Sequence, residues 1–454
     1  MNDKETSLDG AYQLLNDAIL HYQGHPVGTI ASADFKVAAE NYGDCFIRDF
    51  VPSALVFLLD GQTDIVRNFL ELTLNLRDQQ EQLEGHQSLP KVMPASFKVF
   101  FDQYGKEQIR PDFGDKAIGR VAPVDAMMWW VILLYAYVKA TGDIALAHQP
   151  KYKKGIQQIL TIFLRDRFEV FPTLLVPDGC FMIDRRMGVY GHPLEIQSLF
   201  YGCLKASLFL LNNAEIENQD ILQQSQKRLE QLTDYVRRYY WLDLARLNEI
   251  HRYETERFGD DNHNELNIYP ESIPPWLSDW LPDEAGYLVG NIGPGRMDFR
   301  FFAFGNLLAI VFGLAEPEQA AQIMKVYDQR WPDLIGRMPV KISYPAIHGK
   351  EWHLLTGGDP KNRPWSYHNA GNWPTLLWAF NAAAKLSGRE DLAEKATNIA
   401  SHRLHQDNWP EYYDGKEGRL IGRRSNFRQV WSATGYILAR KLLQNDQLLN
   451  LLKF

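Results

Sequence analysis

Cysteine is scarce in this 454-residue chain, which contains only three, Cys45, Cys180 and Cys203, far apart in sequence. No two of them have the CxxC spacing, which argues against a zinc site built from thiolates. An odd number of widely separated cysteines also argues against a disulfide scaffold. We therefore expect neither a metal site nor a framework of disulfide bonds.

The chain also lacks a long basic run, a signal peptide and a membrane-spanning stretch. Its formal charge is −8 and some of its basic residues form short pairs such as Arg185 and Arg186, whereas a nucleic-acid surface needs a basic footprint. The N-terminal segment Met1–Leu20 is acidic and lacks the basic start and following apolar stretch of a signal peptide. The apolar stretch Phe301–Ala315 is too short to cross a bilayer. We predict a cytoplasmic protein without nucleic-acid or membrane partners.

Strand signals are sparse too, and helical patterns dominate. Prolines at positions 52, 123, 193 and 374 each precede an apolar run, and proline suits the first helical position because its missing N–H would have no partner there. The first three of these prolines are 71 and 70 residues apart, which indicates repeated units. With two further apolar segments, the pattern predicts six buried helices: Ser53–Leu59, Val124–Lys139, Leu194–Leu211, Met297–Leu314, Thr375–Leu386 and Phe427–Leu443.

A glycine turn follows several of these apolar helices and leads into a more polar helix. The turns contain Gly61, Gly142 and Gly388, each followed by an acidic helix start, and the segment Asp391–His402 after the last is amphipathic. Six such hairpins with parallel inner helices predict an all-α fold, an (α/α)6 barrel forming one domain over residues 1–454. A right-handed α-solenoid is the rival architecture, but its repeats would be shorter and would lack long loops.

The loops before the inner helices should meet at one rim of such a barrel. They are rich in polar, aromatic and glycine residues, and tryptophan and tyrosine can stack on sugar rings as well as pack a core. Asp184 and Glu411 lie in the third and sixth loops, on opposite sides of the rim. Hydrolysis of a glycosidic bond needs one protonated and one ionised carboxyl group, and a wide separation with room for water favours inversion.

Each of these two acidic residues also has a structural alternative. Asp184 could form a surface ion pair with Arg185 or Arg186, and Glu411 could cap a turn or bond Trp409. The local sequence leaves both alternatives open.

Five segments resemble the alkaline/neutral invertases, glycoside hydrolase family 100, and follow that family's order: Phe46–Leu55, Met93–Val99, Ala117–Asp125, Met182–Gln197 and Trp409–Gly415. The resemblance implies an (α/α)6 barrel and hydrolysis of sucrose to glucose and fructose, a β-fructofuranosidase activity with inversion at the fructosyl carbon. It assigns the acid to Asp184 and the base to Glu411, with no metal or organic cofactor, and it implies work in the cytosol. The short N-terminus is similar to bacterial, notably cyanobacterial, members.

Further candidates share a position on a converging loop and a side chain that can bond or stack against a sugar. These expected substrate-binding residues are Tyr42, Arg48, Asp49, Arg186, His192, Gln197, Trp365, His368 and Trp373. Some have structural alternatives: Asp49 could cap the helix that Pro52 extends, Arg48 could pair with a carboxylate, and His192 could begin a helix.

Two other functions remain open from the sequence. A sugar epimerase or isomerase on a similar barrel would use a pair of proton-transferring groups, often histidines. A non-catalytic sugar-binding protein would bind sucrose and leave it intact. The expected partner is a small sugar, and outer aromatic residues leave room for a homo-oligomer.

Overall fold

The computed structural model of the chain describes residues 3–34, 41–77, 92–114, 124–165, 172–176, 181–183, 187–214, 219–253, 264–293, 295–420 and 425–454. Helices dominate these residues. They are α1 Asp3–Asp17, α2 Ile47–Leu59, α3 Thr63–Leu76, α4 Ala126–Thr141, α5 Ile144–Ala147, α6 Pro150–Phe163, α7 Leu194–Leu210, α8 Asp220–Tyr235, α9 Leu244–Arg252, α10 Pro275–Trp280, α11 Ala303–Val311, α12 Pro317–Gln329, α13 Trp331–Leu334, α14 Gly349–Thr356, α15 Leu377–Leu386, α16 Glu390–Ser401, α17 Val430–Leu442 and α18 Gln447–Leu452.

Short antiparallel strands accompany the helices. They are β1 Ile19–Tyr22, β2 His25–Thr29, β3 Cys45–Phe46, β4 Ser96–Phe101, β5 Glu107–Asp112, β6 His192–Pro193, β7 Trp241–Leu242, β8 Tyr287–Gly293, β9 Arg296–Phe302 and β10 Ser343–Tyr344. Strands β1 and β2 form a hairpin, β3, β4 and β5 form a second sheet, and the third has the order β10-β9-β8-β6 with β7 also paired to β8.

Six helices form a closed ring at the centre of the fold. Helix α2 packs on α4, α4 on α7, α7 on α11, α11 on α15, α15 on α17, and α17 returns to α2. Their sequences are apolar nearly all round, and in α4 every residue from Ala126 to Val138 is buried. A helix without a polar face must be surrounded by protein on all sides, which explains its place in the ring.

Each of the six predicted apolar segments overlaps one of the ring helices, with shifted boundaries. Helix α2 begins at Ile47, so that Pro52 lies inside the helix rather than at its start. A single 3-10 turn, Pro374–Leu376, precedes α15. Pro123 lies outside the described residues.

The expectation of an all-α chain is too strict, and the clearest error concerns Met297–Leu314. Its first part is strand β9, in which Met297, Phe299 and Phe301 are buried while Asp298 and Arg300 between them are more exposed. This alternation has the two-residue period of a strand. Helix α11 begins only at Ala303.

More polar helices surround the ring. Helices α3, α8 and α16 each pack on the ring helix before them, and Tyr152 of α6 stacks on Trp130 of α4. Each buries one face, as in α8, where Ile221, Ser225 and Leu232 are buried at helical spacing. Ring helix α17 instead packs against the N-terminal helix α1, so the last outer position is filled from the start of the chain.

The two ends of the ring differ. At the end where α4 finishes, α18 packs on α4, α17 and α2, and the ring of Phe454 lies 4.7 Å from that of Tyr135 and 5.4 Å from that of Phe312, between centroids. At the other end, strands β3, β6 and β9 run directly into α2, α7 and α11. The C-terminal residues thus cover one end, and the helix N-termini surround the other. No helix in the described ranges is long and apolar enough to cross a membrane.

Candidate active site

A cavity lies at the N-terminal end of the ring, and the space between its walls, about 290 Å³, is partly open to solvent. Its walls come from the N-terminal parts of five ring helices, from the 3-10 turn before α15 and from Met182, which is two residues before Asp184 in sequence. The lining residues are Arg48, Val51, Pro52, Trp129, Met182, Phe304, Thr375, Leu376, Trp378 and Trp431. The rim predicted from the sequence is therefore where the structure has a cavity.

Glu411 has a buried carboxylate, with the residue only 3% exposed. The Tyr42 hydroxyl donates to its Oε1 at 2.7 Å, and Asn426 Nδ2 donates to its Oε2 at 3.1 Å. Lys361 Nζ lies 3.7 Å from Oε2. These partners come from other parts of the chain, so the carboxylate does not serve as the local turn cap that the sequence left open.

Arg48 and Asp49 follow one another in the first turn of α2. Arg48 Nη1 donates to Asp125 Oδ2 at 2.7 Å, and its Nε lies 3.9 Å from Asp49 Oδ1. Asp49 does not cap α2, whose N-cap residue is Phe46. Burial raises the pKa of Asp49 to about 7, the charges of Glu411 and Asp125 act in the same direction, and Arg48 opposes them.

Glu195, in the first turn of α7, is a buried acid that the sequence analysis missed. Its Oε1 accepts a 2.9 Å hydrogen bond from the backbone N–H of Met182. Burial raises the pKa of Glu195 to about 8, with Asp125 adding to the rise and the Met182 bond and Arg48 opposing it. An acidic residue in the first turn of an otherwise apolar helix was the sequence feature that could have identified Glu195 as a candidate.

An aromatic cluster adjoins Glu411. The rings of His368 and Trp373 stack with centroids 4.9 Å apart, and Trp373 stacks on Tyr412 at 5.6 Å. Trp373 also meets Trp431, which lines the cavity, edge to face. Burial lowers the pKa of His368 well below its usual value, and the charges of Lys361 and Arg48 lower it further. His368 is therefore neutral at neutral pH.

Other expected substrate-binding residues have contacts within the protein. The Gln197 amide bonds both backbone groups of Leu174 and the carbonyl of Pro193, and His192 Nδ1 lies 2.8 Å from the hydroxyl of Thr173. Trp373 is only 1% exposed and donates to the carbonyl of Tyr367.

Trp365 is partly exposed and lies in the loop before α15. Its ring lies 6.1 Å from that of Tyr344, and Lys341 Nζ lies 5.3 Å from its ring centroid.

The structure thus brings Tyr42, Arg48, Asp49 and His368 around Glu411 and the cavity, whereas Gln197 and His192 contact the chain near residue 174.

Asp184 and Arg186 lie outside the described residues, as does Cys180. On either side of them, Met182, Ile183 and Met187 are buried. Across the described part of the chain, no group of three or more His, Cys, Asp or Glu side chains is arranged to hold a metal ion.

The fold is shared with solved glycosidases. A glycosidase variant in complex with glucose aligns with a TM-score of 0.59 at 13% identity, over 97% of this chain and 97% of that one. A rhamnosidase from Klebsiella oxytoca with rhamnose bound aligns with a TM-score of 0.55 at 15% identity, over 97% of this chain and 64% of that one. These two likenesses show that the chain shares its overall fold with the two solved enzymes.

Sequence comparison gives the family. Residues 11–446 match the family described as alkaline and neutral invertase, and the chain belongs to that family. It is 48% identical over 454 residues to probable alkaline/neutral invertase A, chloroplastic, of Arabidopsis thaliana, covering 98% of this chain and 71% of that protein. It is also 48% identical to cytosolic invertase 1 of Oryza sativa subsp. japonica, covering 97% and 79%. The resemblance of the five motifs is confirmed.

Proposed function

We propose that this protein hydrolyses sucrose to glucose and fructose with inversion of configuration, using Asp184 as general acid and Glu411 as general base. The observation that carries the proposal is the buried Glu411 carboxylate, held by Tyr42 and Asn426 at the open end of the ring in a member of the invertase family. Met182 lines the cavity, which supports a role there for the segment that contains Asp184.

The proposed architecture is a single-domain (α/α)6 barrel over residues 1–454. The closed ring of six helices supports an inner layer, and α3, α6, α8, α12 and α16 with α1 supply six outer helices. In this arrangement the sixth pair is α17 with α1 rather than a hairpin of consecutive helices. We also propose that the protein works in the cytoplasm, as its cytosolic relative is named to do.

In the proposed reaction Glu411 is ionised and accepts a proton from water while the water oxygen bonds to the anomeric carbon of the fructosyl unit. The bond from that carbon to the glycosidic oxygen breaks as Asp184 donates its proton to the oxygen. Tyr42 and Asn426 each donate to the Glu411 carboxylate and so fix its direction. Inverting enzymes place the two carboxyl groups roughly 6.5–9.5 Å apart to admit the water.

For substrate binding we propose direct contacts from Tyr42, Arg48, Asp49, Arg186, Trp365 and His368. Because the pKa of Asp49 is raised to about 7, its carboxyl can carry a proton at neutral pH and donate to a sugar hydroxyl. His192, Gln197 and Trp373 support the site through Thr173, Leu174 and the aromatic cluster.

The test is to mix purified protein with sucrose and follow the sugars by proton NMR. Free glucose and fructose support hydrolysis, intact sucrose would indicate a binding protein, and an isomerised sugar would indicate an epimerase. The first anomer formed reports inversion or retention. A parallel reaction in heavy-oxygen water labels the sugar whose anomeric carbon is attacked, and label on glucose would overturn attack at the fructosyl carbon.

A further inference from the structure

Lys361 is a charged side chain beside Glu411 that the proposed mechanism does not use. Its Nζ lies 3.7 Å from Glu411 Oε2, 3.5 Å from the Tyr42 hydroxyl and 3.8 Å from the ring centroid of Tyr367. A cation held between a carboxylate and an aromatic face is attracted by both. The Lys361 side chain is 20% exposed, far less than is usual for a surface lysine.

The backbone that carries Lys361 is tightly bonded. Its N–H donates to Asp359 Oδ1 at 3.1 Å, and its carbonyl accepts from the Ser366 hydroxyl at 2.9 Å. The next residue, Asn362, donates to Asp359 Oδ2 and accepts from the backbone N–H of His368. The ammonium thus extends from a turn whose backbone is held by hydrogen bonds within the loop.

The charges near Glu411 show why a cation matters there. Asp49 is a second carboxyl group close enough for the charge of Glu411 to contribute to raising its pKa. Arg48 is engaged by Asp125 at 2.7 Å, and His368 is neutral because its pKa is lowered. Among the described residues, Lys361 supplies the ion pair to Glu411.

We propose that Lys361 is a positioning residue that keeps the base Glu411 ionised and holds its carboxylate in place together with Tyr42. The inference rests on the proposed function, in which Glu411 is the base. At 3.7 Å the ammonium is beyond hydrogen-bond length, so it contributes charge without occupying the lone pair that must take the proton from water. An opposite charge this close favours the ionised form of a carboxyl group.

The experiment compares wild type with Lys361→Met, which removes the ammonium, and Lys361→Arg, which keeps the charge. The control is Lys350→Met, because Lys350 is exposed on α14. Sucrose hydrolysis is measured from roughly pH 5 to 9. For Lys361→Met we expect the acidic limb of the kcat/KM profile to move up by about one pH unit, so that the loss at neutral pH is partly recovered at higher pH. Lys361→Arg should keep the limb near its wild-type position.

A second readout needs no substrate. Carbon-13 NMR of the glutamate-labelled protein follows the Glu411 carboxyl signal, identified by its absence in Glu411→Gln, and its titration midpoint should move to higher pH in Lys361→Met. An unmoved midpoint, or an activity loss equal at every pH, would show that Lys361 only packs against Tyr367. A wild-type protein that leaves sucrose intact would instead contradict the proposed function. The titration midpoint of the Glu411 carboxyl group would still decide the role of Lys361.

Discussion

Tyr42 and Glu411, 369 positions apart in the sequence, are joined by a 2.7 Å hydrogen bond from the phenol hydroxyl to Oε1. Tyr42 precedes α2 and Glu411 precedes α17, the two helices whose contact closes the ring. Burial raises the pKa of Tyr42 well above its usual value, and the charge of Glu411 raises it further, so the hydroxyl keeps its proton and donates. One contact therefore links the loops before the first and last helices of the ring and orients the carboxylate of the proposed base.

Replacing Tyr42 by phenylalanine keeps the ring and removes the hydroxyl, which donates to Glu411, lies 3.5 Å from Lys361 Nζ and is proposed to contact the sugar. A hydrogen bond to a charged group contributes about 1.5–3 kcal/mol, so we expect kcat for sucrose hydrolysis to fall about 10- to 100-fold. Steady-state kinetics provide the measurement, and Tyr104→Phe is the control because Tyr104 is 85% exposed. Activity of Tyr42→Phe equal to that of the control would mean that the bond does not direct the base.

The two proposed catalytic carboxyl groups are tested by Asp184→Asn and Glu411→Gln. Each change keeps the shape of the side chain and removes its ability to give or take the proton, so kcat should fall about a thousandfold or more. Circular dichroism and the Tm should show a retained fold. Asp9→Asn and Glu394→Gln are matched controls on exposed positions. A variant with nearly wild-type activity would remove that residue from its proposed role.

The ring helices could be predicted because complete burial leaves an uninterrupted apolar run, as in Ala126–Val138. The same property prevented strand β9 from being predicted. Phe301 and Phe302 continue directly into the apolar helix α11, so the alternation from Met297 to Phe301 was absorbed into one long run. The position of α1 against α17 depends on contacts between the two ends of the chain, which local patterns do not encode.

At the site, the sequence identified candidate residues by the loop they lie in and by their side-chain chemistry. It could not identify their hydrogen-bond or ion-pair partners. It placed Tyr42, Arg48 and Asp49 on one rim, and in the structure they lie near Glu411 or the cavity. It placed Gln197 in the same group, although the backbone of Leu174 satisfies that amide in the fold. Lys361 could not be found, because its proximity to Glu411 arises from the packing of one rim loop against another.

Glu195 gives a prediction for stability against pH. Its pKa is raised from 4.5 to about 8, so between these values the folded state holds a proton that the unfolded state has released. The free energy of unfolding must therefore decrease as pH rises through this window. Glutamine resembles the protonated acid and does not titrate. We expect Glu195→Gln to match wild type near pH 5 and to exceed its Tm by about a few degrees near pH 8.

The measurement is the Tm of both proteins at a fixed scan rate across that pH range. Other titrating groups, including Asp49, are common to the two proteins and cancel in the difference. Parallel curves would mean that Glu195 does not hold its proton in the folded state at neutral pH.

The contact between α17 and the turn before α15 gives a prediction about the cavity wall. A Cβ on Gly435 would lie 2.9 Å from the carbonyl oxygen of Thr375 and 3.0 Å from its Cα, and backbone atoms cannot move aside cheaply. Overpacking of this kind costs about 1–3 kcal/mol. Because Thr375 and Leu376 line the cavity, we expect Gly435→Ala to lower the Tm and to raise KM for sucrose. Gly293→Ala is the control, since nothing lies within 4 Å of the added methyl group. Equal Tm and KM in the two variants would show that α17 can shift without disturbing the cavity.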